Sequence, residues 1–161
     1  MAILDTALDM TWIEESVLNR TLNAEEKNVL RGLAKIQTFA RGDVLIQEGD
    51  TASGLFFIYS GQVGLEHEKH GQPVRVAKLE AGGQLGDMAM FNGEAASATA
   101  KALSDCVVYA LPVEVMEYVM GNYADLSKDL MLNTIRNLAS AVRDMNGFNA
   151  YAHQYIQGGR V

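Results

Sequence analysis

Arg41-Gly42-Asp43-Val44-Leu45-Ile46-Gln47-Glu48-Gly49-Asp50, followed by Leu55-Phe56-Phe57-Ile58-Tyr59-Ser60-Gly61-Gln62-Val63, is the stretch whose reading decides the fold. Gly42-Asp43 and Gly49-Asp50 are turn dipeptides, and Ser60-Gly61 is a hairpin candidate. Between them stand two short apolar runs, Val44–Ile46 and Leu55–Tyr59. The punctuation continues through Gly64, Gly71, Gly82, Gly83, Gly86 and Gly93, with further runs at Val74–Val76 and Cys106–Leu111. His70-Gly71 is another hairpin candidate. Short strands with turn signals at close intervals predict a sandwich or barrel over residues 37–111.

Helical patterns flank this zone. Within residues 1–36, Asn23 and Glu26 form a capping-box pattern, with Val29, Leu30 and Leu33 on the apolar face of the helix that follows. Trp12, Ile13, Val17 and Leu18 have helical spacing as well. Residues 112–156 read as C-terminal helices, and 157–161 as a tail. Pro112 suits the first turn of a helix, Gly121-Asn122 a stop, and a longer helix starts near Ala124. Met131, Ile135, Leu138, Val142 and Met145 recur at alternating spacings of four and three, a coiled-coil-like stripe that continues through Phe148, Ala152 and Tyr155. The stripe either packs on its own β-roll or pairs with its copy; the reading leans to a homodimer.

Composition limits the function classes. The chain has 161 residues, the size of one domain, and nearly half are apolar, enough for a core. Its net charge of −7 and scattered basic residues argue against a nucleic-acid partner. Cys106 is the sole cysteine, so no intramolecular disulfide forms; it sits in an apolar run and reads as a core residue. No stretch approaches the about 20 apolar residues of a membrane span, and no basic leader opens the chain. The expectation is a soluble, cytoplasmic protein.

The Gly42-Asp43 turn, Gly49-Asp50 seven residues on, and the aromatic strand ending in Ser60-Gly61 resemble the cyclic-nucleotide-binding domain family. Leu85-Gly86-Asp87-Met88-Ala89-Met90-Phe91-Asn92-Gly93-Glu94-Ala95-Ala96-Ser97-Ala98-Thr99 resembles that family's phosphate-binding cassette, usually Phe-Gly-Glu-x-Ala-Leu, a short loop, then Arg-x-Ala-Thr or Arg-Ser-Ala. The resemblance spans roughly Asn23 to Met145. It implies a mainly β fold with flanking α, a double-stranded β-helix or jelly roll between N-terminal and C-terminal helices. It also implies a regulatory, non-enzymatic role, with a cyclic nucleotide or another small anionic ligand held by Gly86, Asp87, Met88, Ala89, Ala96, Ser97 and Ala98.

In the family the backbone meets the phosphate, a glutamate meets the ribose and an arginine pairs with the phosphate oxygens. Gly86 and Ala89 keep the backbone part, and Ser97 keeps the hydroxyl. Asp87 stands where glutamate is expected, and can alternatively cap the turn. Ala96 stands where the arginine should be, and no arginine lies between Arg75 and Arg136. A charge-assisted hydrogen bond contributes about 1.5–3 kcal/mol, and about 3 kcal/mol is roughly a hundredfold in affinity. Lys101 is the nearest base, of uncertain direction, and Arg75 lies across the roll.

Other constellations are weaker. His67 and His70, with Glu66 and Glu68, crowd one hairpin, but their spacing of three puts the rings on opposite faces of a strand, against a cupin-type metal site. No nucleophile–base or Walker-type pattern occurs. After Met145 only sixteen residues remain, too few for a winged helix. The expected function is a regulatory module signalling through its C-terminal helices to a protein partner. The alternative is a ligand-free dimerisation or interaction scaffold that keeps only the fold.

Overall fold

Leu55–Tyr59 shows no polar alternation because both faces of its strand are covered. In β3 (Gly54–Ser60), Leu55 and Phe57 face the flanking helices, packed with Leu30, Met116 and Leu126, while Phe56 and Ile58 face Val63, Ala100 and Val108. β8 (Cys106–Pro112) divides the same way, with Tyr109 and Leu111 toward the helices and Cys106, Val108 and Ala110 inside. A strand buried on both sides reads as an unbroken apolar run. The computed structural model describes residues 7–51 and 53–158, with the backbone alone for residues 88 and 148–158.

The remaining strands are β1 (Lys35–Phe39), β2 (Val44–Ile46), β4 (Val63–Lys69), β5 (Gln72–Leu79), β6 (Gln84–Leu85) and β7 (Thr99–Ala102). They form two four-stranded antiparallel sheets, ordered β1-β8-β3-β6 and β2-β7-β4-β5. This is the expected jelly roll, with shifted edges. It opens at Lys35, which pairs with Ala110, rather than at Gln37, and closes at Pro112, opposite Gly54. Ser60-Gly61 does not make a hairpin: β3 and β4 belong to different sheets, so this turn carries the chain from one sheet to the other. His70-Gly71 does make one. Both residues have positive φ (53° and 77°), as a two-residue type I′ loop requires, and Lys69 stands opposite Gln72.

The N-terminal helices begin with α1 (Met10–Trp12), where Asp9 accepts the Trp12 N–H at 2.9 Å; the helix continues over Ile13–Leu18 as a wider coil with i→i+5 bonding. α2 (Ala24–Leu33) carries the expected capping box. Glu26 N–H donates to Asn23 Oδ1 at 2.8 Å, and Asn23 N–H to Glu26 Oε2 at 3.0 Å. Against the same face pack the C-terminal helices α4 (Val113–Asn122) and α5 (Ala124–Gly158). Pro112 is the N-cap of α4 rather than a first-turn residue, because it also completes β8. α5 runs past the expected end at 156. Leu126 and Leu130 bury α5 against the body. The stripe Met131, Ile135, Leu138, Val142 and Met145 is a different face and is exposed. The side chains of Phe148, Ala152 and Tyr155 lie outside the described residues. Among those residues, no helix is long and apolar enough to cross a membrane.

One polar cluster joins the two helical ends. The Arg20 guanidinium grips Glu26 with both terminal nitrogens (2.9 and 2.6 Å), and its Nε donates to Asp129 on α5. Glu26 and Asp129 are buried, while the Arg20 side chain is 31% exposed. Replacing Arg20 with alanine strands two buried carboxylates and is expected to cost about 2–3 kcal/mol, less than for a fully buried pair because the guanidinium is partly solvated. The Arg20 hydrogen bond holds Glu26 below the usual carboxylate range, aided by the Asn23 N–H and opposed by burial. A carboxylate depressed in the folded state stabilises above its unfolded value, about pH 4.3, and that contribution is lost as pH falls through the folded value. Denaturation midpoints from pH 7 to 3 are therefore expected to fall less steeply in Arg20→Ala than in the native chain.

Candidate ligand pocket

The cassette begins where β6 ends. Gly86 takes φ +85° and is the N-cap of α3 (Asp87–Asn92), and its carbonyl accepts the Met90 N–H at 3.2 Å. Asp87 is therefore the first helical residue rather than the cap. Gly93, at φ +72°, ends the helix. The returning chain is pinned to the turn at Gly49-Asp50: Ala96 N–H donates to the Asp50 carbonyl at 2.8 Å, and the Ala96 carbonyl accepts from Gly49 N–H at 2.9 Å. The Thr99 hydroxyl accepts from Glu48 N–H at 3.0 Å and Gln47 Nε2 at 3.1 Å, fixing the next turn.

These anchors enclose a cavity of about 110 Å³. Gly86, Asp87, Ala89, Ala96, Ser97 and Ala98, all expected from the sequence, line it; the Met88 side chain lies outside the described residues. Ile46, Leu65, Leu85 and Ala100 complete an apolar wall, and Thr51 and Ser53 add polar groups; Gln84 also borders the cavity, with its side-chain amide directed to α5. Strand alternation could have found Ala100 from Ala98. Gln84 left no signal, because its partners are remote in sequence.

Asp87 is the only charged side chain among the described residues that line the cavity. Lys101 stands between buried Ala100 and Ala102, and Ala100 lines the cavity, so Lys101 points to the opposite face of β7. Arg75 behaves alike. Its Nε lies 3.1 Å from where a Cβ on Gly64 would stand, on the face of β4 opposite Leu65.

Gln84 is buried and joins this pocket to α5. Its Nε2 donates to Thr134 Oγ1 at 2.7 Å, and its Oε1 accepts from Asn133 Nδ2 at 2.8 Å. The Thr134 hydroxyl in turn donates to the Leu130 carbonyl at 3.1 Å. A buried amide with both ends satisfied is a specific clasp.

The histidines do not converge. His67 Nδ1 lies 3.3 Å from Glu48 Oε1, and His70 occupies the hairpin turn. No group of three metal-ligating side chains occurs among the described residues. Cys106 is buried and unbridged.

Comparison with known proteins agrees with this architecture. The chain is 30% identical to glutaminase 1 of Bradyrhizobium diazoefficiens over 84% of its own length, but only 21% of that protein. It is 27% identical to the cAMP-dependent protein kinase regulatory subunit of Debaryomyces hansenii, over 67% of this chain and 23% of that one. It thus spans about a fifth to a quarter of these curated relatives. A solved cyclic nucleotide-binding domain from Methylobacillus flagellatus superposes with a TM-score of 0.75 at 23% identity, covering 84% of this chain and 79% of that one. That likeness concerns the fold. The sequence pattern of the cyclic nucleotide-binding domain matches residues 36–123, from the first strand of the roll to the end of α4, and on this match the chain belongs to the cyclic nucleotide-binding domain family.

Proposed function

We propose that the chain is a regulatory module in which a small ligand at the Gly86–Thr99 cassette changes the setting of α5 and, through it, a protein partner. One observation carries this reading: Gln84 lines the cavity and is also clasped by Asn133 and Thr134 of α5. A ligand that moves β6 by even a fraction of an ångström disturbs two buried hydrogen bonds on the helix. The glutaminase activity of the larger relative is not carried over, since the chain matches only 21% of that protein.

The test pairs binding with hydrogen exchange. A nucleotide and nucleoside panel at millimolar concentration is expected to raise the melting temperature by mass action and to alter amide exchange along residues 124–147. Gln84→Leu is expected to retain binding within about threefold while abolishing the exchange response in α5. Binding without any response in the native α5 overturns the signalling role. A melting temperature that no ligand shifts overturns ligand binding and leaves the scaffold reading.

The same helix is proposed to pair with a second copy of this chain. Ile135, Val142 and Met145 are 59%, 51% and 59% exposed, a heptad stripe with no cover in the monomer. Ala139, Ala141 and Asn146 flank the stripe without charge, and Arg143 borders it. Sedimentation equilibrium is expected to return a dimer for the native chain and a monomer for the Ile135→Glu, Val142→Glu double variant. A native monomer at micromolar concentration removes the proposal.

A further inference from the structure

We infer that the cavity beside Gly86 takes a small ligand without negative charge, one that presents a hydroxyl or ammonium donor to Asp87. The inference rests on the ligand-binding reading above and specifies its chemistry. A cyclic phosphate is a monoanion, and an anion removed from water needs a cation or converging donors to replace its hydration. Among the described residues the lining holds no cation: its one charged residue is Asp87, of the same sign as the phosphate. Arg75 and Lys101 lie on the far faces of β4 and β7. The backbone at Ala96, where a family arginine would stand, is already committed, its N–H to Asp50 and its carbonyl to Gly49. The chain as a whole carries −7, which repels an approaching anion further.

What the cavity does offer suits an uncharged or cationic molecule with an apolar side. Leu65 and Ala100 provide the apolar wall, and the Ser53 hydroxyl can donate or accept as a neutral ligand requires.

Calorimetry on the full chain with adenosine and cyclic AMP tests this directly, because the two share base and ribose and differ in the cyclic phosphate. Adenosine is expected to bind at least about tenfold more tightly than cyclic AMP. Cyclic AMP binding as tightly as adenosine, or more so, overturns the inference while the ligand-binding reading stands. Failure of both to bind at millimolar concentration overturns that reading and the inference with it. In Asp87→Asn the preference for adenosine is expected to narrow by about fivefold, since the repelling charge is gone. An unchanged ratio removes Asp87 from its part.

Discussion

Replacing Ala96 with arginine is expected to raise the affinity for cyclic AMP by about ten- to a hundredfold and to leave adenosine nearly unchanged. The backbone at this position is held at both its N–H and its carbonyl, by Asp50 and Gly49. A long side chain introduced there extends from a fixed anchor at the cavity lining, so less freedom is lost on pairing with a phosphate. The guanidinium also offsets the charge of Asp87. One charge-assisted bond contributes about 1.5–3 kcal/mol, and about 1.4 kcal/mol is tenfold. Calorimetry against both ligands measures it, with Ala96→Gln as the control for length without charge. An equal gain for adenosine, or the same gain in Ala96→Gln, shows that charge pairing is not the cause.

This expectation rests on features that were unequally legible in the sequence. The glycine-punctuated strands and the Leu85–Thr99 cassette carried the jelly roll, since each turn position constrains its backbone locally. Sheet membership was not legible at Ser60-Gly61: a turn dipeptide reports a chain reversal, but which strand then pairs depends on contacts far along the chain. Six of the seven described lining residues of the cassette, all but Leu85, were legible because they fall in two short runs. Gln84 was not, as a lone glutamine carries no mark of burial and its partners stand 49 and 50 residues downstream. Lys101 needed the roll itself: only when Ala100 is seen lining the cavity does alternation turn the lysine away. The exposed face of α5 was legible as a heptad stripe, because the residues that bury the helix, Leu126 and Leu130, lie outside that register.

Gly86→Ala is expected to lose about 3–4 kcal/mol of folding stability and the cavity with it. Gly86 holds φ +85°, and a Cβ there would stand 2.1 Å from the backbone carbonyl oxygen of Gly54. A non-glycine residue in the left-handed region costs about 1–3 kcal/mol. The clash adds to this, because a backbone atom cannot swing away as the tip of a side chain can. Relief requires β6 to part from β3, and β6 is only Gln84 and Leu85, paired to Phe57 and Phe56. Parting them loosens the Gln84 clasp on α5 as well. A melting temperature about 10 °C lower is the expected reading for a domain of this size. Gly82→Ala separates the two causes. Gly82 has nearly the same φ, +91°, but nothing stands within 4 Å of its Cβ position. That variant carries the conformational cost alone, about 1 kcal/mol. Equal losses in the two variants would mean that the approach of β6 to Gly54 does not hold the cassette in place.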